Sequence, residues 1–266
     1  MLNILKSDFY KLIKSRAFWV CIVLCMAFAV FMVTAMHVGI SSGHFGNGGG
    51  GPGGMTLEEL IENISATWAL LAYLDMGLHL IFIAVFVSIF VSSEFHFGTM
   101  KNVLSRGASR INVFLSKIIV CSFASVIILL AFVLAMLVSG TFAWGYDPNG
   151  IATLNEMISM VALQGLMVLG YAALFTFISM SIRGTGGAIA ANVILVMMAA
   201  YLFGAISMLF GGSINLGDYW LEWGVSNLAE YSPATEYIIQ GIIIAFVWGI
   251  ASIVAGLTFF KKQDVK

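Results

Sequence analysis

Asp75 and His79 stand four residues apart in an apolar stretch, so on a helix their side chains share one face. Ionisable groups in hydrocarbon are costly, which makes the pair a candidate for proton or ion coupling. A structural role is the alternative, because Asp75 sits about one and a half turns inside its stretch, where a carboxylate still reaches the headgroups. Gln164, Tyr171, Asn192 and Tyr201 add hydrogen-bonding groups to other apolar stretches. They either line a path for cargo or tie helices together, and Gly165, Gly170, Ala188, Ala191, Ala199, Ala200 and Gly204 favour close helix contacts. Hydrolytic chemistry is poorly supported, since the four histidines are scattered and form no H-E-x-x-H pattern. His37 and His44 join His79 at no ligand spacing, so no metal is expected. Cys21, Cys25 and Cys121 suit a membrane-facing or packing place better than a disulfide or zinc.

These groups need a membrane scaffold. Of the 266 residues, 61% are hydrophobic and only 9% charged, against about 25% charged in soluble domains. Six stretches are long enough to span a bilayer as helices, at about 17–38, 70–92, 117–139, 157–182, 187–210 and 237–260. No alternating pattern suggests a membrane β-barrel. The reading is an all-α membrane protein: residues 1–16 as an amino-terminal amphipathic helix and 17–266 as one six-helix domain. A net charge of -1 gives no footprint for nucleic acid.

All basic residues fall at alternate ends of the spans. Lys6, Lys11, Lys14 and Arg16 precede the first; Lys101, Arg106, Arg110 and Lys117 lie between the second and third; Arg183 follows the fourth; Lys261, Lys262 and Lys266 follow the sixth. Glu58, Glu59, Glu62, Asp147, Asp218, Glu222, Glu230 and Glu236 occupy the other side without a basic residue. The positive-inside rule then puts both termini in the cytoplasm.

Ahead of the first span, Leu2, Leu5, Phe9, Leu12 and Ile13 predict one apolar face, with Lys6, Ser7, Asp8, Lys11 and Lys14 opposite. Such a helix lies on the inner leaflet or simply orients the chain. The outer loop 39–69 carries a glycine run, Gly46 to Gly54, with no Gly-Lys-Ser/Thr after it, and reads as a hinge. Thr56 and Glu59 form a capping box that predicts a short helix with Leu57, Leu60, Ile61 and Ile64 on one face. The outer loop 211–236, with Trp220, Leu221, Trp223 and Leu228 among acids, reads as an interfacial anchor or as a lid.

The loop from Ser93 to Arg110 is the largest surface on the basic side. A short helix over about Thr99–Leu104 would offer Met100, Val103 and Leu104 as an apolar knob, either for a partner's groove or as a plain connector. Glu94, Phe95, Gly98, Thr99, Lys101, Leu104, Ser105 and Arg110 match a Glu-aromatic-x-x-Gly-Thr-x-Lys, Leu-Ser, Arg pattern, and Pro233 precedes the last span. In these features the chain resembles the permease subunits of ABC-2 type ABC exporters, which often carry Pro where this chain has Gly107.

The resemblance implies an elbow helix, six spans and a cytoplasmic coupling helix over Glu94, Phe95, Gly98, Thr99, Met100, Lys101, Val103, Leu104, Arg106 and Arg110. It implies a transport subunit in a bacterial plasma membrane that is not itself an enzyme, with ATP and magnesium in a separate ATP-binding subunit and no cofactor in this chain. A second permease copy, identical or homologous, and membrane lipid would be the other partners. Glu94 would pair with Arg106 or Arg110. Compact members of this kind resemble exporters of amphipathic or antimicrobial and toxin peptides; lipid, drug or polymer export is the alternative. An ATPase-independent carrier using Asp75 and His79 remains a separate reading.

Overall fold

A computed structural model describes residues 2–42, 64–96, 98–105, 107–147, 153–209, 216–230 and 232–262. Among them the chain is helical and contains no strand: α1 (Leu2–Lys14), α2 (Arg16–Ser41), α3 (Ala66–Asp75), α4 (His79–His96), α5 (Thr99–Ser105), α6 (Arg110–Trp144), α7 (Leu154–Ile182), α8 (Thr185–Leu209), α9 (Leu221–Asn227) and α10 (Thr235–Lys262). A 3-10 turn, Leu216–Tyr219, precedes α9. The glycine run and the expected helix after Thr56 lie outside the described residues.

Four helices, α2, α6, α7 and α10, are long and apolar enough to cross a bilayer. Two bent units, α3 with α4 and the two halves of α8, raise the number to six if each is one span. These apolar helices make the chain a membrane-embedded protein. The 35-residue α6 packs against α1, α2, α3, α4, α7 and α10, so the core gathers around it. Its buried residues include Phe114, Cys121, Ile128 and Phe132. Cys21 and Cys25 are buried too, consistent with packing.

The second expected span, about 70–92, is not one straight helix. Gly77 adopts φ +62°, which glycine tolerates without a Cβ penalty, and the axis turns by 54° between α3 and α4. Ser65 caps α3 by accepting a bond from the Trp68 N–H at 3.1 Å. A capping box starts α7: the Glu156 carboxylate accepts from the Thr153 N–H at 2.8 Å, while Thr153 Oγ1 accepts from the Glu156 N–H.

Candidate functional site

α1 folds against the bundle with Leu5, Phe9 and Leu12 of the expected apolar face, rotated so that Asp8 is taken in with them. Leu12 and Asp8 are buried, whereas Leu2 and Ile13 are exposed. Asp8 and Lys11 are turned inward because they meet complementary charge, while Lys6, Ser7 and Lys14 stay exposed. Lys117, two turns into α6 and 1% exposed, donates to Asp8 Oδ1 at 2.8 Å and to Glu94 Oε1 at 2.7 Å. Lys11 donates to the same Glu94 oxygen at 2.8 Å and lies 3.6 Å from Asp8 Oδ1. Ser116 Oγ donates to Asp8 Oδ2 at 2.7 Å, and the Lys117 ammonium stands 4.9 Å from the centre of the Phe90 ring.

Two carboxylates and two ammonium groups thus form a neutral cluster that joins α1, α4 and α6. Burying any one of these charges alone costs several kcal/mol, so each depends on the others. At Lys11 burial disfavours the charged form, but the hydrogen bond and charge of Glu94 and the charge of Asp8 outweigh it and hold the pKa above the ordinary lysine value. Asp8, Lys11 and Lys117 were not among the sequence-derived site residues. The signal for them was a solitary acid, Asp8, within a basic segment.

The expected pairing of Glu94 with Arg110 is therefore corrected. The ion pairs of Glu94 among the described residues are with Lys11 and Lys117, because their helices bring ammonium groups to its carboxylate from two sides. Arg110 instead donates to the Phe260 carbonyl at 3.2 Å, tying the start of α6 to the end of α10, and Arg106 lies outside the described residues.

The short helix expected over Thr99–Leu104 is α5, Thr99–Ser105. It hangs directly from the cluster, since Thr99 Oγ1 donates to the Glu94 carbonyl at 3.2 Å. The expected apolar knob is overturned at Met100, which is 1% exposed because it packs into the core, and Val103 is half-buried. The side chains of Lys101 and Leu104 lie outside the described set. Asn102 and Ser105 form the exposed face. Phe95 meets Phe260 edge-on at 6.5 Å, and the Arg183 guanidinium lies 5.9 Å from the Phe95 ring. Gly107 takes φ +85°, which proline with φ near -65° cannot adopt, so this turn differs from a proline-bearing one.

Two cavities flank the cluster. The larger, about 560 Å³, runs between α1, the α5–α6 turn and α6, and the smaller, about 230 Å³, lies beside Ser15, Phe90 and Thr99. Lys11 and Glu94 border both.

The intramembrane candidates sit elsewhere. Asp75 and His79 do not form the expected pair, because the break at Gly77 puts them on differently directed helices. Asp75 is exposed and accepts from Ser226 Oγ of α9, while His79 is fully buried against Phe132, its ring nitrogens without a hydrogen-bond partner. Gln164 Nε2 donates to the Val225 carbonyl at 2.7 Å. Asn192 Nδ2 reaches Ser88 Oγ at 2.8 Å, Ser179 Oγ at 3.0 Å and the Phe175 carbonyl at 3.3 Å, a knot across α4, α7 and α8. Tyr201 is 78% exposed and lines nothing inside. Gly170 lies close to Leu221 and Ala245, whereas Gly165 and Gly204 face open space.

The loop read as anchor or lid turns its largest ring inward. Trp220 is buried, with its ring centre 5.0 Å from Phe203, 6.3 Å from Tyr171 and 4.8 Å from Trp248. Trp248 Nε1 donates to the Tyr219 carbonyl and Gln240 Nε2 to that of Asp218, so α10 holds the loop by its backbone. This segment caps the bundle at the end opposite the charge cluster.

Among the described residues no three histidine, cysteine or acidic side chains gather to hold a metal. No curated protein matches the chain. A family model described as "Protein of unknown function (DUF2705)" matches residues 59–266, more than half of the chain and inclusive of Glu94, Lys117 and α3 to α10, and the chain belongs to that family.

Proposed function

We propose that this chain is the permease subunit of an ATP-driven exporter of the ABC-2 type, set in a bacterial plasma membrane with both termini cytoplasmic. On this reading α1 is the elbow helix on the inner leaflet and α5 is the coupling helix. Two copies, or one copy and a sister permease, pair and bind two separate ATP-binding subunits, which alone hydrolyse ATP. The cargo is an amphipathic peptide of the antimicrobial or toxin kind.

The observation that carries the reading is the suspension of α5. A short helix between two spans, rooted through Glu94 and Thr99 in a cluster that also grips α1 and α6, passes a push on α5 to three helices at once. A rigid connection of this kind is what nucleotide-driven movement of a docked subunit requires. Because Met100 is buried, the docking surface is the exposed Asn102 and Ser105 with the half-buried Val103.

The test is purification of the tagged chain at native expression in mild detergent. A nucleotide-binding ATPase should co-purify and be lost from an Asn102→Trp, Ser105→Arg variant that still melts like the parent chain. Recovery of the folded chain alone would remove the reading. The broken second span favours one other reading, an ion-coupled carrier, since helix breaks beside ionisable groups serve ion sites in carriers. Transport that stops in His79→Leu without any ATPase present would select it.

A further inference from the structure

α9 lies across α7 as an antiparallel helix of seven residues, and four contacts fix its register. Gln164 Nε2 donates to the Val225 carbonyl at 2.7 Å, Met167 sits over Gly224, Leu221 sits over Gly170, and the Trp220 ring meets Tyr171 at right angles with centres 6.3 Å apart. Leu221 and Leu228 stand two turns apart and share one face of the helix. Each leucine faces a glycine: a Cβ at Gly170 would come within 3.0 Å of Leu221, and one at Gly241 within 2.6 Å of Leu228. Leu221, Gly224, Val225 and Leu228 are buried while Ser226 is exposed, so α9 is an amphipathic helix set in a groove between α7 and α10.

This occupant does not satisfy the groove. Gln164 Oε1 and the Tyr171 hydroxyl are buried without a hydrogen bond, although both residues touch the α9 segment. The Tyr171 hydroxyl and Trp220 Nε1 approach each other without reaching hydrogen-bond geometry. Each buried polar atom left in this way weakens the hold on α9, and a ligand that pairs with it gains the difference. At the exposed edge Asp75 accepts from Ser226 Oγ, a bond that a cation can replace. Asp218, Glu222 and Glu230 flank α9, and the sequence holds no lysine or arginine from 184 to 260, so the local charge favours a cationic ligand.

We propose that the groove filled by α9 is a binding site for a cationic amphipathic peptide, which enters as a helix in place of α9. Its apolar side chains take the positions of Leu221 and Leu228 over Gly170 and Gly241, and an aromatic residue takes that of Trp220 among Tyr171, Phe203 and Trp248. A polar side chain pairs with Gln164 Oε1 or the Tyr171 hydroxyl, and an ammonium group replaces Ser226 at Asp75. α9 is then the internal competitor, and the apparent affinity of the peptide is set by how often α9 leaves. The inference rests on the peptide cargo proposed above, but it needs no ATPase.

The full chain is placed without any partner subunit in phosphatidylcholine nanodiscs, with empty nanodiscs as the blank. The probe is a fluorescent peptide of residues 217–229 carrying Asp218→Lys and Glu222→Lys, and binding is read by anisotropy. It should bind about tenfold more tightly than its all-D mirror image, since a protein groove distinguishes handedness far better than a bilayer does. The same peptide with its natural Asp218 and Glu222 should bind about threefold more weakly than the basic form. Trp220→Ala in the chain loosens the competitor and should tighten binding about tenfold, the reverse of what loss of a binding residue would do. Benzoylphenylalanine at the Trp220 position of the peptide should crosslink within a turn of Tyr171, Phe203 or Trp248 in the parent chain, which keeps the test valid should Trp220→Ala misfold. Equal binding of mirror images, equal binding of basic and acidic forms, unchanged or weaker binding to folded Trp220→Ala, or crosslinks elsewhere overturns the proposal. Peptide binding by a chain that recruits no ATPase would leave the groove standing and remove the exporter reading. A co-purifying ATPase without preference between mirror images would do the opposite.

Discussion

The two ends of the bundle hold their peripheral segments by opposite means. At one end α1 is clamped by four charges that sum to zero, three of them nearly inaccessible. At the other, the 216–228 segment is held mainly by uncharged groups, with Trp220 among three aromatic rings and side-chain bonds from Gln164, Gln240 and Trp248 to its backbone, beside one exposed bond from Ser226 to the Asp75 carboxylate. A charge cluster has one strong arrangement and no good partial one, because each missing partner strands a buried charge. An aromatic cap with backbone bonds loses its contacts one at a time. The contrast assigns rigidity to the α1 end and stepwise loosening to the capped end.

The largest effect should come from Lys117→Met, which leaves Asp8 and Glu94 facing each other with only half-exposed Lys11 between them. A loss of about 3–5 kcal/mol is expected, seen as a lowered melting point in detergent. Lys117→Met combined with Glu94→Leu should melt above the single variant, since it removes the stranded charge along with the cation. A single variant as stable as the parent would break the comparison at its strong end. Next comes Trp220→Ala at the cap, expected to cost about 3 kcal/mol by loss of a buried ring. Here the sign of partial opening is local: a cysteine placed at buried Leu221 should become reactive to thiol reagents while one at buried Leu12 does not.

The apolar spans were legible because a bilayer demands about 20 apolar residues in a row, and α2, α6, α7 and α10 contain the expected stretches 17–38, 117–139, 157–182 and 237–260. The break at Gly77 was not, since hydropathy is blind to φ and a lone glycine in an apolar run is common in membrane helices. The charge cluster was half legible. Glu94 stood out, but its partners Lys11 and Lys117 read as orientation signals, and their pairing depends on how α1 folds back. Hydrophobic periodicity put Asp8 on the wet face of α1; a buried ammonium on α6 reversed that. Met100 was misread for a related reason, because the short helix that carries it lies beside a core that takes its side chain up.

A smaller effect tests the bend that separates Asp75 from His79. Gly77→Ala places a Cβ on a residue at φ +62° and should cost about 1 kcal/mol, because the added methyl meets Leu80 and Val225 at ordinary contact distances of 3.4 and 3.7 Å and the strain is in the backbone alone. A melt lowered by that amount, with Leu221→Cys reactivity rising only slightly, would show that the kink supports the cap from below. An unchanged melt would mean that α3 and α4 straighten at no cost, and the cap would then owe nothing to the break.

The smallest effect should be a pH dependence confined to the charged end. The folded-state pKa of Lys11 is raised above its unfolded value, so its share of α1 docking is complete below pH 10.5 and disappears as pH climbs through the higher folded value. Lys11 is half-exposed, and solvent screening keeps that share small, so α1 should loosen without the bundle unfolding. Spin labels on exposed Tyr10→Cys and Ile119→Cys report the α1–α6 distance, and labels on exposed Tyr219→Cys and Tyr237→Cys report the cap. From about pH 9 to about pH 12 the first distance distribution should broaden and the second should hold. Lys11→Arg, whose guanidinium stays charged throughout, should cancel the broadening. Broadening at both ends together, or its survival in Lys11→Arg, would mean that alkali acts on the bundle as a whole and that Lys11 is no separable part of the clamp.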